Sequence, residues 1–204
     1  QIDWLTSHLF LSTEYDETPF ALQYEDERLL LDNSYKILEG DYDTLAALSR
    51  MTLLNGIAAI IIGSTHAGSM GEHLISHYID MFMGEKHPGT LHGEQVAVTT
   101  LLLSKIQNQI INFSDTLVFK KLNITDNNFR ELFGDKIFNQ MYEQFKKKYF
   151  DGEKLDNLNN LLEKKWPEQK EILKKHLLPT ESIEKALKNC GAPTNNVELR
   201  IPNN

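Results

Sequence analysis

Apolar positions recur along this chain at intervals of three and four residues, and no alternating run of β-branched residues interrupts them. The pattern predicts an all-α protein of about eight helices. The first runs from the start to about Leu11, with Ile2, Leu5, Leu9 and Phe10 on one face. The second opens at Thr18-Pro19, a capping residue followed by the proline that a first helical turn tolerates, and ends near Gly40. The third spans about Asp43 to Ile62 and is closed by Gly63; its second half is apolar almost all round, which predicts burial on every side. A fourth helix, about Ser69 to Met83, and a fifth, about Leu91 to Phe113, flank the loop 84–90. Beyond Phe113 shorter amphipathic segments lie near 125–149, 152–165, 167–177 and 181–190.

These segments are expected to form one helical domain over residues 1–204, with its core in 1–113 and peripheral helices in 114–204. A chain of 204 residues buries a sizeable core without staples, and 41% hydrophobic with 25% charged residues is an ordinary globular balance. The longest apolar run, Leu53 to Ile62, is about half of what a bilayer requires and is broken by Asn55 and Gly56, so no membrane span is expected. The lone Cys190 rules out an internal disulfide framework and suits a reducing compartment, which favours the cytoplasm. The start, Gln1-Ile2-Asp3-Trp4, carries neither an initiator Met nor a signal-peptide pattern and reads as the edge of a fragment.

The charge is unevenly spread. Residues 1–100 hold 4 Lys+Arg against 15 Asp+Glu, whereas residues 101–204 hold 17 against 14. Basic clusters such as Lys146-Lys147-Lys148 alternate with acids and lack interleaved aromatic residues, so they read as solvated helix faces and not as a nucleic-acid surface.

The candidate chemistry lies around the fourth and fifth helices. His73 and His77 are four residues apart and therefore share a helix face, and His92 opens the next helix. Neutral imidazoles on adjacent antiparallel helices can converge on one divalent cation, and the short 84–90 loop would bring them together. A histidine pair at this spacing is also what an ordinary helix surface or interface carries, so spacing alone leaves both readings open. The zincin pattern is absent, because Glu72 precedes His73. Before the fourth helix, Gly63-Ser64-Thr65-His66-Ala67-Gly68-Ser69-Met70-Gly71 is a small-residue stretch where a functional loop fits. Ser64, Thr65 and His66 could donate hydrogen bonds to a substrate or cap the helix that follows.

Taken whole, Gly71-Glu72-His73-Leu74-Ile75-Ser76-His77 and Leu91-His92-Gly93-Glu94-Gln95-Val96-Ala97 resemble the signature of the glycerol-1-phosphate dehydrogenases, within the superfamily of iron-containing alcohol dehydrogenases, glycerol dehydrogenases and dehydroquinate synthases. Gly63-Ser64-Thr65, Asp3-Trp4 and Cys190-Gly191-Ala192-Pro193-Thr194 extend the resemblance over nearly the whole chain. It implies the helical C-terminal domain of that fold, with His73 and His92 as metal ligands for Zn2+ or another divalent ion such as Fe2+ or Ni2+. It makes His77 a substrate-facing proton relay and assigns substrate contacts to Ser64, Thr65 and His66. A third, acidic ligand and the domain that binds NAD(P) would precede residue 1. The implied reaction interconverts sn-glycerol-1-phosphate and dihydroxyacetone phosphate, so the implied partners are a phosphorylated polyol and an N-terminal nucleotide-binding domain, with a homo-oligomer left open. The isolated chain is expected to be inactive. Three other readings remain: a glycerol dehydrogenase, a dehydroquinate-synthase-like cyclase, and a non-catalytic helical interaction domain. The chain departs from the pattern at His66-Ala67, where the family often has Arg-Pro, at Met70, where Gly is common, and at Pro202-Asn203-Asn204, where the family usually continues.

Overall fold

A computed structural model describes residues 1–11 and 13–201. Ser12 and the terminal Pro202-Asn203-Asn204, one of the departures noted above, lie outside the described residues. Among the described residues every regular element is a helix: α1 Ile2–Leu11, α2 Thr18–Asn33, α3 Tyr42–Ile62, α4 Gly71–Phe82, α5 His92–Ile111, α6 Asp126–Phe133, α7 Phe138–Lys148, α8 Gly152–Lys174 and α9 Thr180–Asn189. The all-α expectation holds. Gly134, at φ +74°, separates α6 from α7 where the sequence pattern suggested one segment. Conversely, α8 runs through Pro167, where two segments were expected.

The chain divides into two compact units, 1–112 with 172–204, and 113–171. Residues 172–204, grouped with the periphery in the sequence reading, thus lie in the first unit. In that unit Trp4 is buried against Ala58 and Ala67, with Tyr15 and Phe20 packed around it, and its indole N–H donates to the Glu14 carbonyl at 2.7 Å. The start of α3 is fixed by Asp41, whose carboxylate accepts from the Thr44 backbone N–H and hydroxyl at 3.0 and 2.6 Å. At its other end Gly63, at φ +70°, supplies the left-handed residue that terminates the helix. Arg50 on α3 binds Asp26 on α2 through two parallel hydrogen bonds, Nη2 to Oδ1 at 2.5 Å and Nε to Oδ2 at 3.1 Å.

The expectation that α3 is buried on every side is wrong. Its covered face consists of Thr44, Ala47 and Ala58, while Leu53 and Ile60 are 68% and 81% exposed. Small residues let α3 approach its neighbours closely, and the large apolar ones point the other way, where nothing in the described residues covers them. By length and composition alone this 21-residue helix is long and apolar enough to cross a membrane, at a mean hydropathy of 1.8. Counting apolar residues only from Leu53 to Ile62 understated its length. The Arg50–Asp26 ion pair fastens it to α2 as a member of the helical unit.

α9 closes the first unit along α5, through a hydrogen bond between the buried hydroxyls of Ser104 and Thr180 at 2.8 Å. At the far end of α9, Asn189 donates to the buried Ser34 hydroxyl at 3.0 Å. The second unit has its own core. Phe129 lies 4.7 Å from Phe145 and 5.4 Å from Tyr142 between ring centroids, the Arg130 guanidinium sits 3.9 Å over Phe138, and Leu162 and Trp166 are buried. Asn159 pins the extended segment before α6 by accepting from the Phe119 N–H at 2.8 Å and donating to the Phe119 carbonyl at 3.0 Å.

Candidate metal centre

α4 and α5 form an antiparallel hairpin, because the pairs that join them run in opposite senses: Thr99 donates to the Glu72 carbonyl at 2.9 Å, Ser76 to Gln95 Oε1 at 2.7 Å, and Asp80 faces His92 at 3.2 Å. The turn between the helices includes a short 3-10 segment, Gly84–Lys86. α5 is started by Glu94, whose carboxylate reaches back to the Leu91 N–H at 2.7 Å.

The hairpin gathers the three histidines. One ring nitrogen from each of His73, His77 and His92 lies within 4.8 Å of the others. The tightest pair is His73 Nδ1 and His92 Nε2 at 3.1 Å, and the His77 ring stacks on His92 with centroids 5.2 Å apart and planes 19° from parallel. Two nitrogens bound tetrahedrally at zinc–nitrogen distances of about 2.0–2.1 Å are separated by about 3.3 Å. The His73–His92 spacing therefore fits two ligands of one such ion, and the donor set suits a borderline-soft divalent metal. Burial holds the His73 imidazole below its ordinary pKa, and that favours the neutral, ligating form. The carboxylate beside it is Glu72, whose Oε1 is 4.0 Å from His73 Nε2.

Behind the histidines stands a polar cluster to which the sequence reading gave no role. Asp80 accepts from Gln95 Nε2 at 2.8 Å and contacts His87 Nε2 at 3.0 Å, and these bonds hold its carboxyl below the usual range, that from His87 contributing most. Ser76 and Gln95 are fully buried. A signal was available in the spacing: Ser76 and Asp80 continue the face of His73, and Gln95 follows His92 by three residues.

A cavity of about 400 Å³ opens beside His73, walled by Asp3, Glu27, His66, Glu72, Thr100 and Gln107 among others. Of the expected substrate contacts His66 lies in this wall, with its ring 5.9 Å from that of Trp4, whereas Ser64 and Thr65 do not line it. None of the three caps α4: the helix begins at Gly71 without a side-chain cap on Met70, and Glu72 instead accepts from the Met70 N–H at 3.0 Å. Asp3, from the pair matched in the resemblance, accepts from Gln107 at 2.7 Å and from the Gly71 N–H at 3.3 Å, and so joins α1 to the start of α4 and to α5.

The chain is similar to glycerol-1-phosphate dehydrogenases. It is 33% identical over 100 residues to the Glycerol-1-phosphate dehydrogenase, NAD(P)+, of Haloquadratum walsbyi and 34% identical over 100 residues to that of Natronomonas pharaonis, in each case over 49% of this chain and 28% of the relative. The enzyme of the same name from Halalkalibacterium halodurans is 26% identical over 106 residues, 52% of this chain and 27% of the relative. The similar stretch thus covers about half of this chain and about 28% of those relatives. No family model and no solved structure matches the chain.

Proposed function

We propose that this chain is the metal- and substrate-binding helical part of an NAD(P)-linked dehydrogenase that interconverts sn-glycerol-1-phosphate and dihydroxyacetone phosphate. The observation that carries the reading is the convergence of His73, His77 and His92 in a chain whose curated relatives bear that enzyme name. His73 and His92 would hold a divalent cation, which supplies Lewis acidity toward a substrate oxygen. NAD(P), which would be held mainly by a nucleotide-binding domain that pairs with this one, would supply the hydride chemistry.

The chain's own residues have separate tasks. His73 is half-buried at the cavity, which limits water around the reacting oxygen. His77 is exposed and stacked on His92, so it can carry a proton between the substrate hydroxyl and solvent without leaving the cluster. His66, in the cavity wall, would meet a hydroxyl of the substrate. Asp3, Glu27 and Glu72 line the same cavity, and these carboxylates favour hydroxyl groups over a phosphate there. The phosphate is therefore bound outside this cavity, with Ser64 and Thr65 available on the adjoining loop.

Zinc titration by calorimetry tests the reading. One weak site is expected on this chain, abolished by His73→Ala and by His92→Ala. Reduction of dihydroxyacetone phosphate is expected only when a nucleotide-binding domain is present. Turnover by this chain alone, or zinc uptake indifferent to both substitutions, would sink it.

A further inference from the structure

The hydrogen-bond directions around His92 can be traced from a fixed end. The Gly89 backbone N–H donates to His87 Nδ1 at 3.0 Å, so the neutral His87 ring carries its proton on Nε2 and donates it to Asp80 Oδ1 at 3.0 Å. Gln95 Nε2 donates to the same oxygen at 2.8 Å and also faces the Thr90 carbonyl at 3.4 Å, which fixes the amide with Oε1 toward Ser76. Ser76 has one proton and gives it to Gln95 Oε1 at 2.7 Å. Its oxygen can then only accept from His92 Nδ1, 2.8 Å away, and Asp80 Oδ2, 3.2 Å from the same nitrogen, is likewise only an acceptor. Both neighbours demand a proton on Nδ1, and this leaves the Nε2 lone pair facing His73.

We infer that Asp80 is a positioning residue: through Gln95 and Ser76 it locks His92 in the Nδ1–H tautomer and presents Nε2 as a ligand. The inference relies on the proposed metal role only for what Nε2 is presented to, since the tautomer belongs to the chain itself. Asp80→Asn should weaken the lock, since it leaves Ser76 Oγ as the remaining acceptor of the two for Nδ1–H. The new amide oxygen stays with the two donors, His87 Nε2–H and Gln95 Nε2–H, so the amide NH2 turns to His92 Nδ1 and opposes a proton there, against the demand of Ser76 Oγ that persists. The side chain of Asp80 is 36% exposed, so the substitution leaves the helical packing alone.

The experiment is a long-range 15N–1H correlation of the histidine rings in the metal-free, 15N-labelled chain at mildly alkaline pH, together with zinc titration of wild type and Asp80→Asn. The expected result is Nδ1–H for His92 in the wild type and a raised share of Nε2–H in the variant, with zinc affinity lower by about 10–100-fold, the usual effect of losing such a supporting bond. A wild-type His92 protonated on Nε2, or a variant with the same tautomer ratio as the wild type, overturns the inference. A wild type with the expected tautomer and no zinc uptake refutes the metal reading while the inference about Asp80 stands.

Discussion

Replacing Thr180 with Val removes one hydroxyl from the seam between α5 and α9 while leaving side-chain volume almost unchanged. The hydroxyl is buried, bonded to Ser104 Oγ at 2.8 Å, and accepts from Asn108 Nδ2 at 3.2 Å. Asn108 keeps two other acceptors, the carbonyls of Ser104 and Leu178 at 2.9 and 3.2 Å, so it is not orphaned. Ser104 keeps only a 3.5 Å contact with Asn108, and its buried hydroxyl is stranded at a cost of about 1–3 kcal/mol. Ser104→Ala should cost less, about 1 kcal/mol, because Thr180 retains the Asn108 donor. The double variant should cost less than the two single changes together, by about 1 kcal/mol, since neither hydroxyl is left to be stranded. Urea unfolding followed by Trp4 fluorescence, with Trp166→Phe as the common background, reads the first unit alone. At a slope of about 2 kcal/mol/M, a loss of about 2 kcal/mol lowers the midpoint by about 1 M. Strictly additive costs, or a Thr180→Val midpoint equal to that of the background, would refute the claim that this pair holds α9 in place.

Three further outcomes are expected. Burial raises the Glu27 pKa above its ordinary 4.5, so the folded state binds that proton more readily than the unfolded one. The stability it contributes is therefore full below pH 4.5 and lost as pH rises through the raised value; Glu27→Gln should raise Tm at pH 7 and give no gain near pH 4, and an equal effect at both would contradict this. Leu53→Glu and Ile60→Glu, on the uncovered face of α3, should each change stability by less than about 0.5 kcal/mol in thermal melts, where a large loss would mean that the face is covered. Leu101→Ala should cost about 2–5 kcal/mol in the same melts, since that side chain is 2% exposed in the middle of the helix that carries His92; a near-neutral result would mean that α5 is not a core helix.

The helices of the first unit were legible from their turn-scale apolar period and from stops such as Gly63 after α3, although α2 ends at Asn33, ahead of the expected Gly40, and a short 3-10 turn follows it. Their environment was not. An all-round apolar run does not say which of its faces the fold covers, which is where the reading of α3 failed. Past residue 113 the boundaries slipped where single residues decide them, Gly134 ending a helix and Pro167 failing to end one. For the site, the positions of His73, His77 and His92 on consecutive helices foretold their meeting. The bonds of Ser76, Asp80 and Gln95 were invisible because a buried polar side chain looks, in sequence, like any exposed one; only the crossing of α4 and α5 brings Gln95 over Ser76. The cavity was beyond reach for the same reason, since Glu27 on α2 and Thr100 on α5 come to line one space with His73 only in the folded unit.

The three histidines come from a single hairpin, and the two that face each other at 3.1 Å are only 19 residues apart in the chain. The entropic penalty for closing so short a loop is small and is met early, on the microsecond scale of local structure formation, whereas the α5–α9 seam joins residues 76 apart. Ligand assembly thus does not wait for the rest of the molecule. On the proposed metal role, a cation would find its histidine ligands gathered once the chain reaches the end of α5, and would staple the hairpin before α9 has docked.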